Sequence, residues 1–252
     1  MTPPSDPKTE PVWRRHLGND DPEFQASYHD NPRPEIVERI GVEPKCLLEV
    51  GCGSGATGKL VKERYPGCRV IGVESNAQAA EVARGRIDEV YASTFEALDV
   101  DAAGFPKGRI DTVLLLDVLE HMYDPWRALL KLRDVLAPGA RVVASIPNVR
   151  NLMLLNQLAR GSWTYEATGL LDITHIRFFT LREMQRLFDE TGYRVLTTFR
   201  LSDNWSVQIP IPAENEKIDL DIGSMVLKQL GRQDVLELTA TQFILIAQPT
   251  QM

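Results

Sequence analysis

The sequence predicts an α/β fold: a doubly wound, mostly parallel seven-stranded sheet with helices on both faces. Three observations predict it. From residue 45 to residue 147, short apolar runs alternate with helical stretches, the order of parallel βαβ units joined by right-handed crossovers. The first apolar run ends in glycines at 51, 53 and 55, where a strand would hand over to a helix. Two further strand-like runs late in the chain complete the sheet.

The elements follow in order. Residues 1–34 carry seven of the 16 prolines and read as an N-terminal extension, partly disordered or serving as a lid. The stretch YHDNPRP (28–34) leads into a short amphipathic helix at 35–40, and 35–252 is expected to form a single domain. CLLEVG (46–51) is a buried strand, followed by a helix at 57–64 that Pro66 and Gly67 stop. RVIGVE (69–74) is the second strand, 76–84 an alanine-rich helix, 89–92 a short third strand and IDTVLLL (110–116) the fourth. Asp124 and Pro125 supply an N-cap and a first-turn proline for a helix expected to reach 136. Pro138-Gly139 then turns the chain into the fifth strand, RVVASIP (141–147). A cap insertion, 148–179, holds a helix at 151–159 and an irregular aromatic stretch, 161–179. Thr180-Leu181-Arg182-Glu183 is a capping box opening a helix that ends near Gly192. The last two strands, 193–201 and 241–247, flank a polar insertion, 202–234, expected to cover the site or to mediate a homodimer.

Composition narrows the partners. Lys+Arg number 28 and Asp+Glu 35, a net charge of −7, so the chain lacks the clustered cations that polyanions require. No nucleic acid and no membrane is expected as a partner. Cys46, Cys52 and Cys68 form no CxxC pair, so neither a disulfide framework nor a zinc site is expected. The opening MTPPSDPKTE holds no apolar core of a secretory signal, and runs such as 113–116 and 243–247 are far below the ~20 residues that span a bilayer. A cytoplasmic protein is the expectation.

The glycine loop carries the most information. Glycines let backbone approach a ligand without a Cβ clash, and the helix that follows offers free N–H groups. In doubly wound sheets ligands bind beyond these strand ends. Two ligands compete. Gly53, Gly55 and Gly58 match the G-x-G-x-x-G dinucleotide pattern, and Glu74, closing the second strand, suits ribose hydroxyls in either case. Glu49, two residues before Gly51, separates them: a carboxylate there repels a diphosphate and attracts the ammonium of a methionine moiety.

EVGCGSG, the acid Glu74 and LLLDVLEHMYDPW together resemble class I S-adenosylmethionine-dependent methyltransferases over about residues 45–200. DITHIRFFTLREMQRLFDETGY (172–193) is similar to a small-molecule subgroup that includes ubiquinone-biosynthesis-type O-methyltransferases and enzymes of glycan and secondary-metabolite pathways. The resemblance implies a Rossmann-like sheet and S-adenosyl-L-methionine as cofactor. It implies that Glu49, Gly51 and Gly53 line the methionine part and that Glu74 takes the ribose hydroxyls, with Ser75 beside the adenine. The position after the third strand, often Asp in the family, aligns with Ser93 or Thr94. Asp117 would lie near the methionine amine. Tyr28 and Arg33 fall where aromatic and basic residues close over the cofactor, Arg33 either pairing with its carboxylate or standing in solvent.

Methyl transfer from a sulfonium is an in-line displacement in which alignment is worth ~7–11 kcal/mol. It requires no metal, and no metal-ligand spacing is visible. A hydroxyl acceptor must shed its proton, a task histidine suits. His16 reads as surface and His29 as part of a lid. His121 and His175 each read either as the base or as structural, with Asp172 orienting His175 in the first case and Arg177 joining a loop-fixing bond in the second. Trp163, Tyr165, Phe178 and Phe179 are candidates for an acceptor pocket, Phe179 being the one expected to pack inward. The expected activity is methyl transfer to a hydroxyl of a small molecule or saccharide. N-methyl transfer is its nearest variant, and a nicotinamide-dependent oxidoreductase or a non-catalytic cofactor-binding module is the alternative from another class.

Overall fold

The computed structural model describes residues 21–102, 104–202 and 209–250. Seven strands form one sheet: β1 (Cys46–Val50), β2 (Arg69–Glu74), β3 (Glu89–Ala92), β4 (Ile110–Leu116), β5 (Leu136–Pro147), β6 (Tyr193–Leu201) and, after a separate hairpin of β7 (Ile218–Asp221) and β8 (Val226–Leu230), the late strand β9 (Gln242–Pro249). The sheet order is β3-β2-β1-β4-β5-β9-β6. β1 to β5 run parallel, and β9 is antiparallel to both β5 and β6. The two late strands thus pair directly despite their separation in sequence.

The helices are α1 (Pro22–His29), α2 (Pro34–Val37), α3 (Ala56–Arg64), α4 (Ala77–Ala83), α5 (Pro125–Arg133), α6 (Leu152–Ala159), α7 (Leu181–Glu190) and α8 (Arg232–Leu238). Alternation along the central strands splits the core into two layers. Leu48, Val50, Val113 and Leu115 face α5 and α7, meeting Leu129, Leu132, Met184 and Phe188. Leu47, Leu114 and Val143 face the other way, against Ile36, Ile40 and Val61. Both faces are covered, which is why the strands read as nearly continuous apolar runs.

Three elements differ from expectation. Residues 22–29 form a helix, started by Asp21, whose side chain accepts from the Glu23 and Phe24 amides at 2.8 and 3.0 Å; the prolines had marked this stretch as irregular. The helix expected to reach 136 stops at Arg133, and the fifth strand, expected from 141 after a Pro138-Gly139 turn, already begins at Leu136, because pairing of Leu136 with Ile110 draws the chain into the sheet. The polar insertion contains β7 and β8 and opens α8, which continues past its expected end; Leu220, Leu227, Val235 and Leu238 of these elements pack with Leu152 and Leu155 of α6. Arg150 ties it down through Asp234 at 2.9 Å and Glu237 at 2.6 Å. His16 and the first prolines lie outside the described residues, and no helix among those described is long and apolar enough to cross a membrane.

The chain leaves β1 for β2 and β3, then returns to β4 on the other side of β1. The order reverses there, and a crevice opens beyond the carboxyl ends of β1 and β4. Leu114, fully buried between the layers, reports on this frame. Leu114→Ala is expected to cost about 2–5 kcal/mol in chemical denaturation, with the native fold retained.

Candidate active site

The crevice is a cavity of about 710 Å³. Its floor is the turn after β1. Gly51 and Gly53 both adopt positive φ, +69° and +53°, and a Cβ on either would collide, with a Val118 methyl at 2.6 Å and with the His29 carbonyl oxygen at 2.4 Å. Only glycine allows this close packing of loop against loop. Beneath the turn lies Glu49, 3% exposed, with Oε2 lacking any hydrogen-bond partner. Burial pushes its carboxyl up to about 8 and Glu74 adds to the effect, while Thr57 and the Gly58 amide only partly oppose it. Glu74 is also buried, and accepts from the Gly53 amide at 2.8 Å and the Asn76 amide at 2.7 Å. Gly58, the third glycine of the dinucleotide pattern, lies inside α3, where a Cβ would meet Ile87 at 2.7 Å and Val70 at 3.0 Å. Its role is close packing of helix on sheet.

The turn after β4 forms the opposite wall. Asp117 takes a left-handed conformation (φ 55°), uncommon outside glycine. Its carboxylate is held by Arg33 Nη1 at 2.5 Å, by the Ser145 hydroxyl at 3.2 Å and by the Gln242 amide at 2.8 Å. Arg33 also pairs with Glu35 at 2.5 Å. β4, β5, β9 and α2 are thereby tied at one charged knot.

A 3₁₀ turn, Leu119–His121, follows and points Glu120 inward, 1% exposed, with neither carboxyl oxygen partnered. Its backbone carbonyl accepts from the Ile176 and Arg177 amides at 2.9 and 3.0 Å, locking the turn to the cap loop. The two imidazoles, His121 and His175, meet edge to face with centroids 4.7 Å apart. Burial, and secondarily the neighbouring His175, lowers His121 to about 4, so it is neutral at physiological pH.

Asp172 belongs to the same cluster, with a different partner from the one expected. Its carboxylate accepts from the Thr174 amide at 2.8 Å and hydroxyl at 2.6 Å, and from the Tyr28 hydroxyl at 3.1 Å. Thr174 Oγ1 in turn lies 3.0 Å from His121 Nδ1. Asp172 therefore reaches His121 through Thr174, whereas His175 Nδ1 faces the Leu170 carbonyl at 3.3 Å. Arg177 turns away, donating to the Tyr123 carbonyl.

Tyr28, Arg33, Glu49, Gly51, Gly53, Asp117, His121, Asp172 and His175 thus surround one cavity. His29 joins them from α1: its carbonyl accepts from the Ser54 amide at 2.8 Å and its ring meets Asn76 at 3.2 Å. Glu74 and Ser75 lie behind Gly53, Ser75 being exposed. Ser93 and Thr94 follow β3; Thr94 Oγ1 accepts from the Ala97 amide at 3.2 Å and borders a separate groove along α5. The aromatic candidates do not line the cavity. Phe179 packs in the core as expected, Trp163 and Phe178 stack on each other at 5.4 Å, and Tyr165 is exposed. Glu120, Thr174 and Gln242 were missed: an acid inside LEH reads as a helix-surface residue until the 3₁₀ turn rotates it inward.

The cavity suits S-adenosylmethionine. Carboxyl groups of Glu49, Asp117, Glu120 and Asp172 line it against the one Arg33 guanidinium, an environment that attracts an ammonium or sulfonium and repels a diphosphate. Comparison with known proteins agrees with that chemistry. Residues 26–198 match the Methyltransferase domain family. An uncharacterised 37.1 kDa protein of a Streptomyces fradiae transposon is 37% identical over 47% of this chain and 35% of its own length. A probable tocopherol O-methyltransferase of Oryza sativa is 30% identical over 57% of this chain and 44% of its own. The chain thus spans less than half the length of these two relatives. A ubiquinone biosynthesis O-methyltransferase of Coxiella burnetii is 24% identical over 65% of this chain and 80% of its own. Among solved structures, a possible histamine N-methyltransferase of Thermotoga maritima superposes with a TM-score of 0.58 at 18% identity, over 95% of this chain and 98% of that one. With the family matched across most of its sheet and the fold shared end to end, the chain belongs to the methyltransferase domain family, of the class I S-adenosylmethionine-dependent type.

Proposed function

We propose that the chain transfers a methyl group from S-adenosylmethionine to a hydroxyl oxygen of a small molecule or saccharide. One observation carries the reading: the unpartnered Glu49 Oε2, buried under the glycine turn. A carboxyl left there without a partner is costly, and a cationic ligand is what removes the cost. Glu49, Gly51 and Gly53 would hold the methionine end, Glu74 the ribose hydroxyls and Ser75 the adenine edge. Asp117, fixed by Arg33, presents a second acid to the ammonium. The names of the rice and Coxiella relatives, both O-methyltransferases, support an oxygen acceptor.

When bound, the cofactor supplies a methyl carbon already activated by its sulfonium. The chain's own work is alignment, exclusion of water and handling of the acceptor's proton. Tyr28 and His29 roof the cavity from α1, Tyr28 fastened to Asp172 across it. The relay Asp172–Thr174–His121 keeps the His121 Nδ1 proton turned to the loop and leaves Nε2 with its lone pair. At neutral pH such an imidazole accepts a hydrogen bond from the acceptor hydroxyl.

Calorimetric titration tests the reading. S-adenosylhomocysteine is expected to bind at least tenfold more tightly than NADH, and Glu49→Gln to weaken it about 10- to 100-fold, ~1.4–2.7 kcal/mol. Tighter binding of NADH would sink the proposal.

Glu49 also sets a pH dependence. Its folded carboxyl, near 8, keeps a proton that the unfolded chain has released above 4.5. Between these values each unit of rising pH costs the ligand-free protein about 1.4 kcal/mol through this group, and the loss levels off above about pH 8. Gln carries no such proton. The stability of Glu49→Gln relative to the unmodified chain is therefore expected to improve steadily as pH rises from about 5 to 8 in thermal unfolding. Parallel curves would show Glu49 ionised throughout.

A further inference from the structure

At the inner end of the cavity three side chains present electron pairs to one another and no hydrogen between them is supplied by a neighbour. His175 Nδ1 and His121 Nδ1 both face backbone carbonyls, Leu170 O at 3.3 Å and Thr174 O at 3.2 Å. A carbonyl only accepts, so each ring carries its proton on Nδ1 and keeps the lone pair on Nε2. His175 Nε2 stands 3.9 Å from Glu120 Oε1, another acceptor. Both Glu120 carboxyl oxygens are without a hydrogen-bond partner although the residue is 1% exposed. One ligand atom from each of Glu120, His121 and His175 lies within 4.8 Å of the others. A buried carboxyl without a partner, set beside two imidazoles with one ligand atom of each residue within 4.8 Å of the others, is relieved by a cation at their centre.

We propose that Glu120, His121 and His175 form a binding site for a single divalent transition-metal ion of the Zn²⁺ class. Two imidazoles and one carboxylate are the donor set that such ions favour, whereas Mg²⁺ and Ca²⁺ prefer oxygen throughout. Outer contacts match as well. Metal-bound imidazoles donate their other N–H to a carbonyl or carboxylate, as both do here, and Asp172 braces His121 through Thr174. The hydrogen bonds from the Ile176 and Arg177 amides to the Glu120 carbonyl clamp the two ligand-bearing loops together, so residues 54 positions apart in sequence share one centre. Donors bonded at ~2.1 Å to a tetrahedral ion stand ~3.4 Å apart, near the 3.9 Å between His175 Nε2 and Glu120 Oε1. All three residues line the cavity, so the ion's open positions face it; with the ion bound, the ion rather than the His121 Nε2 lone pair meets the acceptor oxygen. That role rests on the methyl-transfer reading; binding of the ion does not.

The full-length chain, stripped with a chelator, tests the site by titration with Co²⁺, followed by visible absorption. The expected result is a d–d band saturating at one equivalent and displaced by Zn²⁺. Glu120→Gln and His175→Ala are each expected to weaken Co²⁺ at least 100-fold, and Asp172→Asn about 10- to 100-fold, with circular dichroism confirming the fold. Replacement of His16 should leave the band unchanged. Absence of a saturable band in the unmodified chain overturns the proposal, as does a band that survives both ligand substitutions. S-adenosylhomocysteine binding measured on the same samples separates the two readings: cofactor binding without metal binding overturns the site alone, and metal binding without cofactor binding overturns the methyl-transfer reading alone.

Discussion

Buried carboxyl groups without hydrogen-bond partners organise this molecule. Glu49 and Glu120 are almost fully buried, yet three of their four carboxyl oxygens have no hydrogen-bond partner among the described residues. Burying such groups costs several kcal/mol each unless something positive arrives or a proton stays on. A sheet built only for stability would place apolar residues at both positions, as it does at neighbouring Leu48, Val50 and Leu119. The carboxyls sit at the ends of β1 and β4, the two strands between which the sheet order reverses, and the crevice there keeps them within reach of a ligand. A cation within reach of these oxygens would remove that cost.

The knot around Asp117 shows how the fold carries this tension. Arg33 comes from the segment before α2, Ser145 from β5 and Gln242 from β9, and all three converge on one carboxylate. Their combined hydrogen bonds hold Asp117 in a left-handed backbone conformation that costs of order 1–3 kcal/mol on its own. The pair is only partly exposed, 11% for the Arg33 side chain and 31% for Asp117, so solvent screens it less than a surface bridge. Through Gln242 it links the N-terminal segment to β9, the antiparallel strand beside β5.

Much of the architecture was legible because the parallel core enforces simple rules. Strands covered on both faces must be continuous apolar runs, and the residues between them must turn, so β1 to β4 emerge within a residue or two of their expected bounds. The glycine turn was legible for the same reason: Gly51 and Gly53 adopt backbone conformations and contacts that other residues cannot. The site's inner half was less so. Asp172 lies three residues from His175, and proximity in sequence suggested the pair; the cap loop instead turns the carboxylate to Thr174 and on to His121. Trp163 and Phe178 suggested a pocket wall by composition, yet they satisfy each other on the surface. α1 was hidden by its prolines, and β7, β8 and α8 by polar residues whose few apolar neighbours matter only once folded against α6. In each case a contact between distant segments decided the outcome, and no local pattern encodes it.

The same division separates the two ends of the cavity. One end is built from the turns after β1 and β4, which follow directly from strands of the sheet. The opposite end is closed by α1 and the loop 161–179, neither of which contributes a strand to the sheet. The polar contacts of α1 and the residue after it include the Ser54 amide to the His29 carbonyl, Tyr28 to Asp172, His29 to Asn76, and Asp30 to Ser54 and Arg86. Its closing contact is Tyr28 on Asp172, the residue that also sets the orientation of His121. Tyr28 and Thr174 thus meet on one carboxylate, so the seating of α1 is linked through Asp172 to the His121 side chain.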